Sequence, residues 1–153
     1  MAKTYDFKKL RTFIKIYGVA QVILIGLLVY MAVHFQIVLQ QRFISSVVAT
    51  LVIQLALFYP VYRYAVMEAT REIETCAVGL TGDELKKFRN KRLIADTCKW
   101  AYFIFFAAFA FKAPKVPFIL SVIVFSFLLT SLTYLQCYNF VAKRLMKEKS
   151  QGL

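Results

Sequence analysis

Four long apolar segments dominate the pattern of hydrophobic and polar positions along the chain. Three of them contain no Asp, Glu, Lys or Arg, and the remaining one is shorter and lies between Lys99 and Lys112. About 20 apolar residues suffice for a helix to cross the hydrocarbon core of a bilayer, and a terminal Lys can extend its ammonium group toward the headgroups. We therefore predict membrane spans at 16–39, 43–62, 97–112 and 117–141.

The type of secondary structure follows from the continuity of these segments. They are uninterrupted runs of apolar residues, whereas membrane strands alternate apolar and polar positions, and four segments are too few for a closed barrel. No second domain or internal repeat is visible in the 153 residues. The prediction is an all-α integral membrane four-helix bundle, formed by a single domain over 1–153.

The connection between the second and third spans, residues 63–96, is predicted to be a helical hairpin. The tetrapeptide "TGDE" at 81–84 has the form of a capping box, in which Thr81 accepts from the backbone N–H of Glu84 and Glu84 reaches back. A helix should therefore begin near Gly82 and continue into the third span. The segment before it should extend the second span as a helix that ends near Gly79.

The amino-terminal segment carries apolar residues at helical spacing, with basic residues between them. This pattern predicts an amphipathic segment that lies in the membrane interface and leads into the first span. The apolar positions are Phe7, Leu10, Phe13, Ile14 and Tyr17.

Composition agrees with a membrane protein, and the charge distribution predicts its orientation. The chain is 60% hydrophobic and has a formal net charge of +12. With four spans, 17 of its 20 Lys and Arg residues and all eight acidic residues fall on one side. The positive-inside rule places that side in the cytoplasm. We expect an integral protein of the bacterial cytoplasmic membrane with both termini in the cytoplasm.

Five basic residues form a cluster in the predicted cytoplasmic connection, and we call them the basic cluster. Such a cluster can lie against anionic lipid headgroups, where each Lys or Arg contributes about 1 kcal/mol, or it can bind a protein partner. Nucleic acid is not expected as a partner, because the charges flank the spans and no nucleic-acid-binding motif is present. The cluster consists of Lys86, Lys87, Arg89, Lys91 and Arg92.

His34 is the single histidine and lies near the outer end of the first span. Its simplest interpretation is a histidine that forms hydrogen bonds near the interface. A haem or quinone contact is the alternative, but a second ligand would have to come from another subunit. The three cysteines are all on the predicted cytoplasmic side, where structural disulfides are rare.

Small and polar residues recur on one face of the second and of the fourth span. Such faces allow helices to approach closely and to hydrogen-bond, and this is the expected role, with a polar conduit as the alternative. The fourth-span positions are Ser126, Thr130 and Thr133, and the second-span positions are Ser45, Ala49 and Ala56.

The sequence contains no motif for a catalytic triad, a metal cluster or a phosphate-binding loop, and it requires no cofactor. An enzyme is therefore less expected than a binding or structural protein. The leading hypothesis is a non-catalytic accessory or structural subunit of a larger membrane complex. The alternatives are a homo-oligomeric channel or small-solute transporter, and an electron-transfer or quinone-associated subunit that uses His34.

Overall fold

The computed structural model describes residues 3–152 and contains four helices in that range. They are α1 (Lys8–Leu39), α2 (Arg42–Thr75), α3 (Gly82–Lys112) and α4 (Pro117–Gln151). The prediction of an all-helical chain is confirmed, and each predicted span lies within one helix. All four helices are long and apolar enough to cross a membrane. By length and composition, the chain has the features of an integral membrane protein.

Short connections join the helices. Gln40 and Gln41 link α1 to α2, and Gln40 has a positive φ of 51°. Six residues, 76–81, link α2 to α3. Within them Gly79 has a φ of 83°, a conformation that L side chains rarely adopt. α4 begins at Pro117, where the absent N–H of proline has no helical partner to lose.

The predicted start of α3 is confirmed. Thr81 Oγ1 accepts a hydrogen bond from the backbone N–H of Glu84, and the Glu84 carboxylate accepts one from the backbone N–H of Thr81. α3 then continues without a break from Gly82 to Lys112. This cap fixes the first turn of α3 directly after the six-residue connection.

α4 is the central helix of the bundle. In its most apolar 18-residue segment 33% of the residues are buried, against 6–11% in the other three helices. α2 packs along one side of α4 and α1 along another. α3 is peripheral, because Ala95 is the one buried residue among its 31.

Both ends of the described chain lie at the same end of the bundle as the α2–α3 connection. Asp6 N–H donates to the Cys76 carbonyl at 2.9 Å, and Val78 N–H donates to the Thr4 carbonyl at 2.8 Å. The ammonium group of Lys149, near the end of α4, lies 5.5 Å from the centre of the Tyr5 ring. This arrangement gathers the basic terminal segments and the basic first half of α3 into one region.

The amino-terminal apolar residues pack inside this region, and two of them face other helices rather than lipid. The position of this segment in the membrane interface stays a prediction. Leu10 and Ile14 are buried. They belong to a cluster contributed by α1, α2 and α4. An amphipathic pattern has the same periodicity whether its apolar face meets lipid or other helices, and the sequence pattern does not distinguish the two. The remaining members of the cluster are Ala65, Ala69, Ile73, Tyr138, Val141 and Ala142.

Candidate functional site: a buried carboxylate between the helices

Glu68 is the charged residue among the buried polar side chains of residues 3–152, and the others are Ser and Thr. It lies on the same face of α2 as Ala65, Ala69 and Ile73, and it is only 5% exposed. The two alanines have no exposed surface, and the small size of their side chains lets α4 approach α2 closely here. Glu68 thus projects into the packed region between the helices, where an uncompensated charge would be costly.

Three side chains compensate the Glu68 carboxylate, and they come from three different helices. Lys99 Nζ of α3 lies 2.5 Å from Oε1. Arg71 Nη2, one turn along α2, lies 3.4 Å from the same oxygen. The hydroxyl of Tyr134 on α4 donates to Oε2. The carboxylate therefore joins α2, α3 and α4 at one point.

Further polar contacts hold α3 against α2 and α4. The Tyr64 hydroxyl donates to the Ala95 carbonyl at 2.9 Å, and Arg71 Nη1 donates to the Lys91 carbonyl at 3.3 Å. Farther along α3, Tyr102 donates to the Phe127 carbonyl at 3.3 Å and its ring stacks on that of Phe127. Because α3 buries little apolar surface in the chain, these contacts and the Lys99–Glu68 pair determine its position.

A cavity of about 110 Å³ adjoins Glu68. At about 30 Å³ per water molecule, it has room for three or four. Its wall carries three acidic and two basic side chains, so the cavity is polar and contains charges of both signs. The side chains around it are Phe13, Tyr17, Glu68, Glu72, Arg92, Asp96, Lys99 and Tyr138.

Hydropathy along the sequence does not predict this site. Glu68 lies beyond the uncharged run 43–62, where it contributes only a charge to the predicted cytoplasmic side. The signal was present in helical periodicity, since positions 65, 69 and 73 are apolar at intervals of four and residue 68 shares their face. An acidic residue on the apolar face of a helix indicates a buried, paired carboxylate.

Polar side chains also connect α2 to α4 directly. The hydroxyls of Ser46 and Ser121 are 2.5 Å apart. Gln54 Nε2 donates to Thr133 Oγ1 at 2.9 Å, and Thr130 Oγ1 donates to Gln54 Oε1 at 3.2 Å. Most of these groups therefore bind each other, which stabilises the contact between the two helices by modest amounts.

The positions predicted for helix packing differ in their surroundings. On α4, Ser126 and Thr130 are buried. On α2, Ser45 and Ala56 are exposed and Ala49 is half-buried, whereas Ser46, next to Ser45, is buried. Within the chain, the face of α2 that meets α4 is thus rotated by one residue from the predicted stripe, and packing of Ser45 and Ala56 against another chain stays a prediction.

The basic cluster is fully on the surface. Lys86, Lys87, Arg89 and Lys91 are exposed on the first half of α3. Arg92 differs from them, because its guanidinium lies 6.0 Å from the centre of the Phe13 ring and also borders the cavity beside Glu68. Four of the five cations are therefore available to lipid or to a partner.

His34 is exposed near the carboxyl end of α1, and its ring meets that of Phe35 edge-on at 5.4 Å. Among residues 3–152, no three His, Cys, Asp or Glu side chains come together in a group that could hold a metal ion. The cofactor contact of His34 stays a prediction.

The cysteines are free thiols. Cys76 follows the last residue of α2 and is half-buried. Burial, with smaller contributions from the carboxylates of Glu72 and Asp6, raises the pKa of the Cys76 thiol. The thiol form is therefore favoured at neutral pH, and this makes Cys76 a weak nucleophile.

Comparison with protein-family models, with curated proteins and with solved structures finds no match to this chain.

Proposed function

We propose that this chain is a non-catalytic accessory subunit of a larger assembly in the bacterial cytoplasmic membrane, and that α3 is the helix that contacts its partner. One observation carries the proposal. α3 buries one residue of 31 in its own chain and is held there by a few polar contacts. A second integral membrane protein packing on its outer face would complete the burial of this helix.

The chemistry of the outer face of α3 supports a protein neighbour. Within residues 97–112, five of the six exposed large apolar side chains are aromatic, and the rings of Phe105 and Phe109 lie 4.7 Å apart. Aromatic side chains are enriched at protein interfaces because they offer a large, rigid contact area. The exposed members of this surface are Trp100, Phe103, Ile104, Phe105, Phe109 and Phe111.

The basic cluster extends the same helix on the side that we assign to the cytoplasm. Both terminal segments and the α2–α3 connection meet at one end of the bundle, and most of the cationic residues lie in these terminal segments or on the parts of α2 and α3 next to the connection. The positive-inside rule supports a cytoplasmic location for that end. The partner would therefore meet aromatic residues within the membrane and exposed Lys and Arg at its inner surface.

Site-specific photo-crosslinking tests the proposal in intact cells. We expect a photoreactive phenylalanine analogue at Phe105 to give a discrete adduct with one other membrane protein. The same analogue at Val22, an exposed position on α1, should give no protein adduct. Native mass spectrometry in mild detergent should then show the adduct partner bound to the unmodified chain.

Three outcomes separate the hypotheses. Adducts at Phe105 between two copies of this chain, shown with two differently tagged copies, would favour the homo-oligomeric channel or transporter. Equal adducts at Phe105 and Val22 would show that α3 is not a preferred contact surface. Lack of adducts at both positions, together with a single-chain mass, would refute the subunit proposal.

The proposed orientation predicts the labelling of single cysteines in intact cells. In a variant without Cys76, Cys98 and Cys137, a membrane-impermeant maleimide should react with a cysteine introduced by Gln41→Cys. It should not react with one introduced by Lys87→Cys until the cells are opened. Both positions are exposed and at opposite ends of the bundle. Labelling at position 87 from outside would overturn the orientation.

The conduit alternative has less support from the contacts. Gln54, Thr130 and Thr133 bind one another between α2 and α4, so these groups are already paired within the chain. A pore lined by them would require α2 and α4 to separate. A pore between copies of the chain would instead have to be lined by another polar surface.

A further inference from the structure

An open groove of about 700 Å³ runs between α1 and α4, apart from the Glu68 cavity and from the outer face of α3. Its volume falls within the range of about 300–1,000 Å³ that is typical of small-molecule sites. On α1 it is bordered by Arg11, Lys15, Gly18 and Gln21, which recur at intervals of four, three and three. Residues at this spacing share one face of a helix.

The facing residues of α4 have the same periodicity. Gln136, Asn139 and Lys143 recur at intervals of three and four along the groove. α1 and α4 run in opposite directions, so the basic start of α1 lies beside Lys143 and Gln21 lies beside Gln136. The groove therefore has a cationic end and an amide-lined section, and none of the acidic residues within 3–152 borders it.

This polarity matches the chemistry of a lipid at a membrane surface. The three cations lie just outside the apolar segments 16–39 and 117–141, at the depth where phosphate groups are found. The amides lie deeper, where the glycerol and ester groups of a phospholipid begin. Ile14, Phe140 and Met146 add apolar surface to the wall.

Gly18 keeps the groove open. A Cβ atom added at this position would meet no atom within 4 Å, so the space beside it belongs to the groove. Any side chain longer than that of glycine would project into this space. Gly26, two turns along the same helix, also has open space but does not border the groove.

We propose that the α1–α4 groove binds an anionic glycerophospholipid, with Arg11, Lys15 and Lys143 holding its phosphate and Gln21 and Gln136 facing its glycerol region. This binding is selective and separate from the general attraction of the basic cluster to a charged membrane. It does not depend on α3 or on any protein partner.

Native mass spectrometry with phosphatidylglycerol and phosphatidylcholine tests the charge requirement. We expect the wild-type protein to bind phosphatidylglycerol at least about tenfold more tightly than phosphatidylcholine. Replacing Arg11, Lys15 and Lys143 by Gln should remove this preference. A control with Lys8, Lys9 and Lys147 replaced by Gln has the same net charge and exposed positions outside the groove, and it should retain the preference.

Filling the groove tests the site without a change of charge. Gly18→Leu should weaken binding of phosphatidylglycerol by about tenfold, whereas Gly26→Leu should leave it unchanged. Neither substitution should harm folding, because both Cβ positions are open and Leu favours a helix more than Gly does. Inorganic phosphate at millimolar concentration should not displace the lipid. Free phosphate has no glycerol or acyl chains, so it cannot contact the amides and the apolar wall as the lipid does.

Several results would overturn the proposal. Equal loss of phosphatidylglycerol in the two triple variants would mean that only net charge matters. Unchanged binding in Gly18→Leu would place the lipid elsewhere, and displacement by inorganic phosphate would identify a simple anion site. Because the two kinds of variant act independently, a folding defect in the triple variant would leave the Gly18→Leu comparison decisive.

Discussion

Replacing Glu68 by Ala is expected to lower the free energy of unfolding by about 3 kcal/mol. Removal of one partner from a buried ion pair typically costs about 3–5 kcal/mol, because the remaining charge stays buried without compensation. Lys99 is 29% exposed and can turn partly toward solvent, which favours the lower end of this range. Arg71 and the Tyr134 hydroxyl would lose the same acceptor.

The single tryptophan offers a local measurement of this effect. Trp100 lies on α3 next to Lys99, so its fluorescence reports on the environment of the helix that the ion pair holds. Unfolding in a detergent titration should therefore show an earlier change in Trp100 fluorescence for Glu68→Ala than for the wild type. Loss of the tertiary position of α3 should precede loss of helical circular dichroism.

A double-mutant cycle separates the pair from its surroundings. Glu68→Gln and Lys99→Met should each destabilise the protein, and the double variant should be less destabilised than the sum, by about 1–3 kcal/mol. Glu148→Gln is the matched control, because it breaks the exposed pair with Arg144 and should cost at most about 1 kcal/mol. Strict additivity of the two substitutions would show that Glu68 and Lys99 do not interact in the folded protein.

Hydropathy predicted the number of helices and their membrane-spanning character because a span requires only a continuous apolar segment, which is a local property of the sequence. A run of about 20 apolar residues needs no knowledge of its neighbours to be identified. The start of α3 was predictable for the same reason, since Thr81 and Glu84 are three residues apart and bind each other's backbone. The structure confirms both predictions.

Packing was less predictable because it depends on which helices become neighbours. The predicted stripe at Ser45 and Ala49 differs from the buried one at Ser46 and Thr50 by one residue, or about 100° around the helix. Both stripes contain small residues, and only contact with α4 distinguishes them. The burial of Glu68 was not predicted for a related reason. Hydropathy registers its charge but contains no information about which face of the helix the residue occupies.

Leu10→Ala is expected to lower the free energy of unfolding by about 2–5 kcal/mol. Leu10 is 1% exposed in the cluster between α1, α2 and α4, so the shorter side chain would leave a cavity that the surrounding helices fill only in part. The slightly higher helix propensity of Ala would offset a small fraction of this loss. Thermal unfolding of the purified protein in mild detergent measures the change.

Two further variants make the Leu10 result specific to packing. Leu10→Met nearly conserves volume and should cost less than about 1.5 kcal/mol. Ile16→Ala, on an exposed position of the same helix, should have little effect on unfolding. If the amino-terminal segment instead lay flat in the membrane interface, Leu10→Ala and Ile16→Ala would have similarly small effects. A large loss for Leu10→Ala alone would show that the first turns of α1 form part of the folded core at the end of the bundle where the termini and the α2–α3 connection meet.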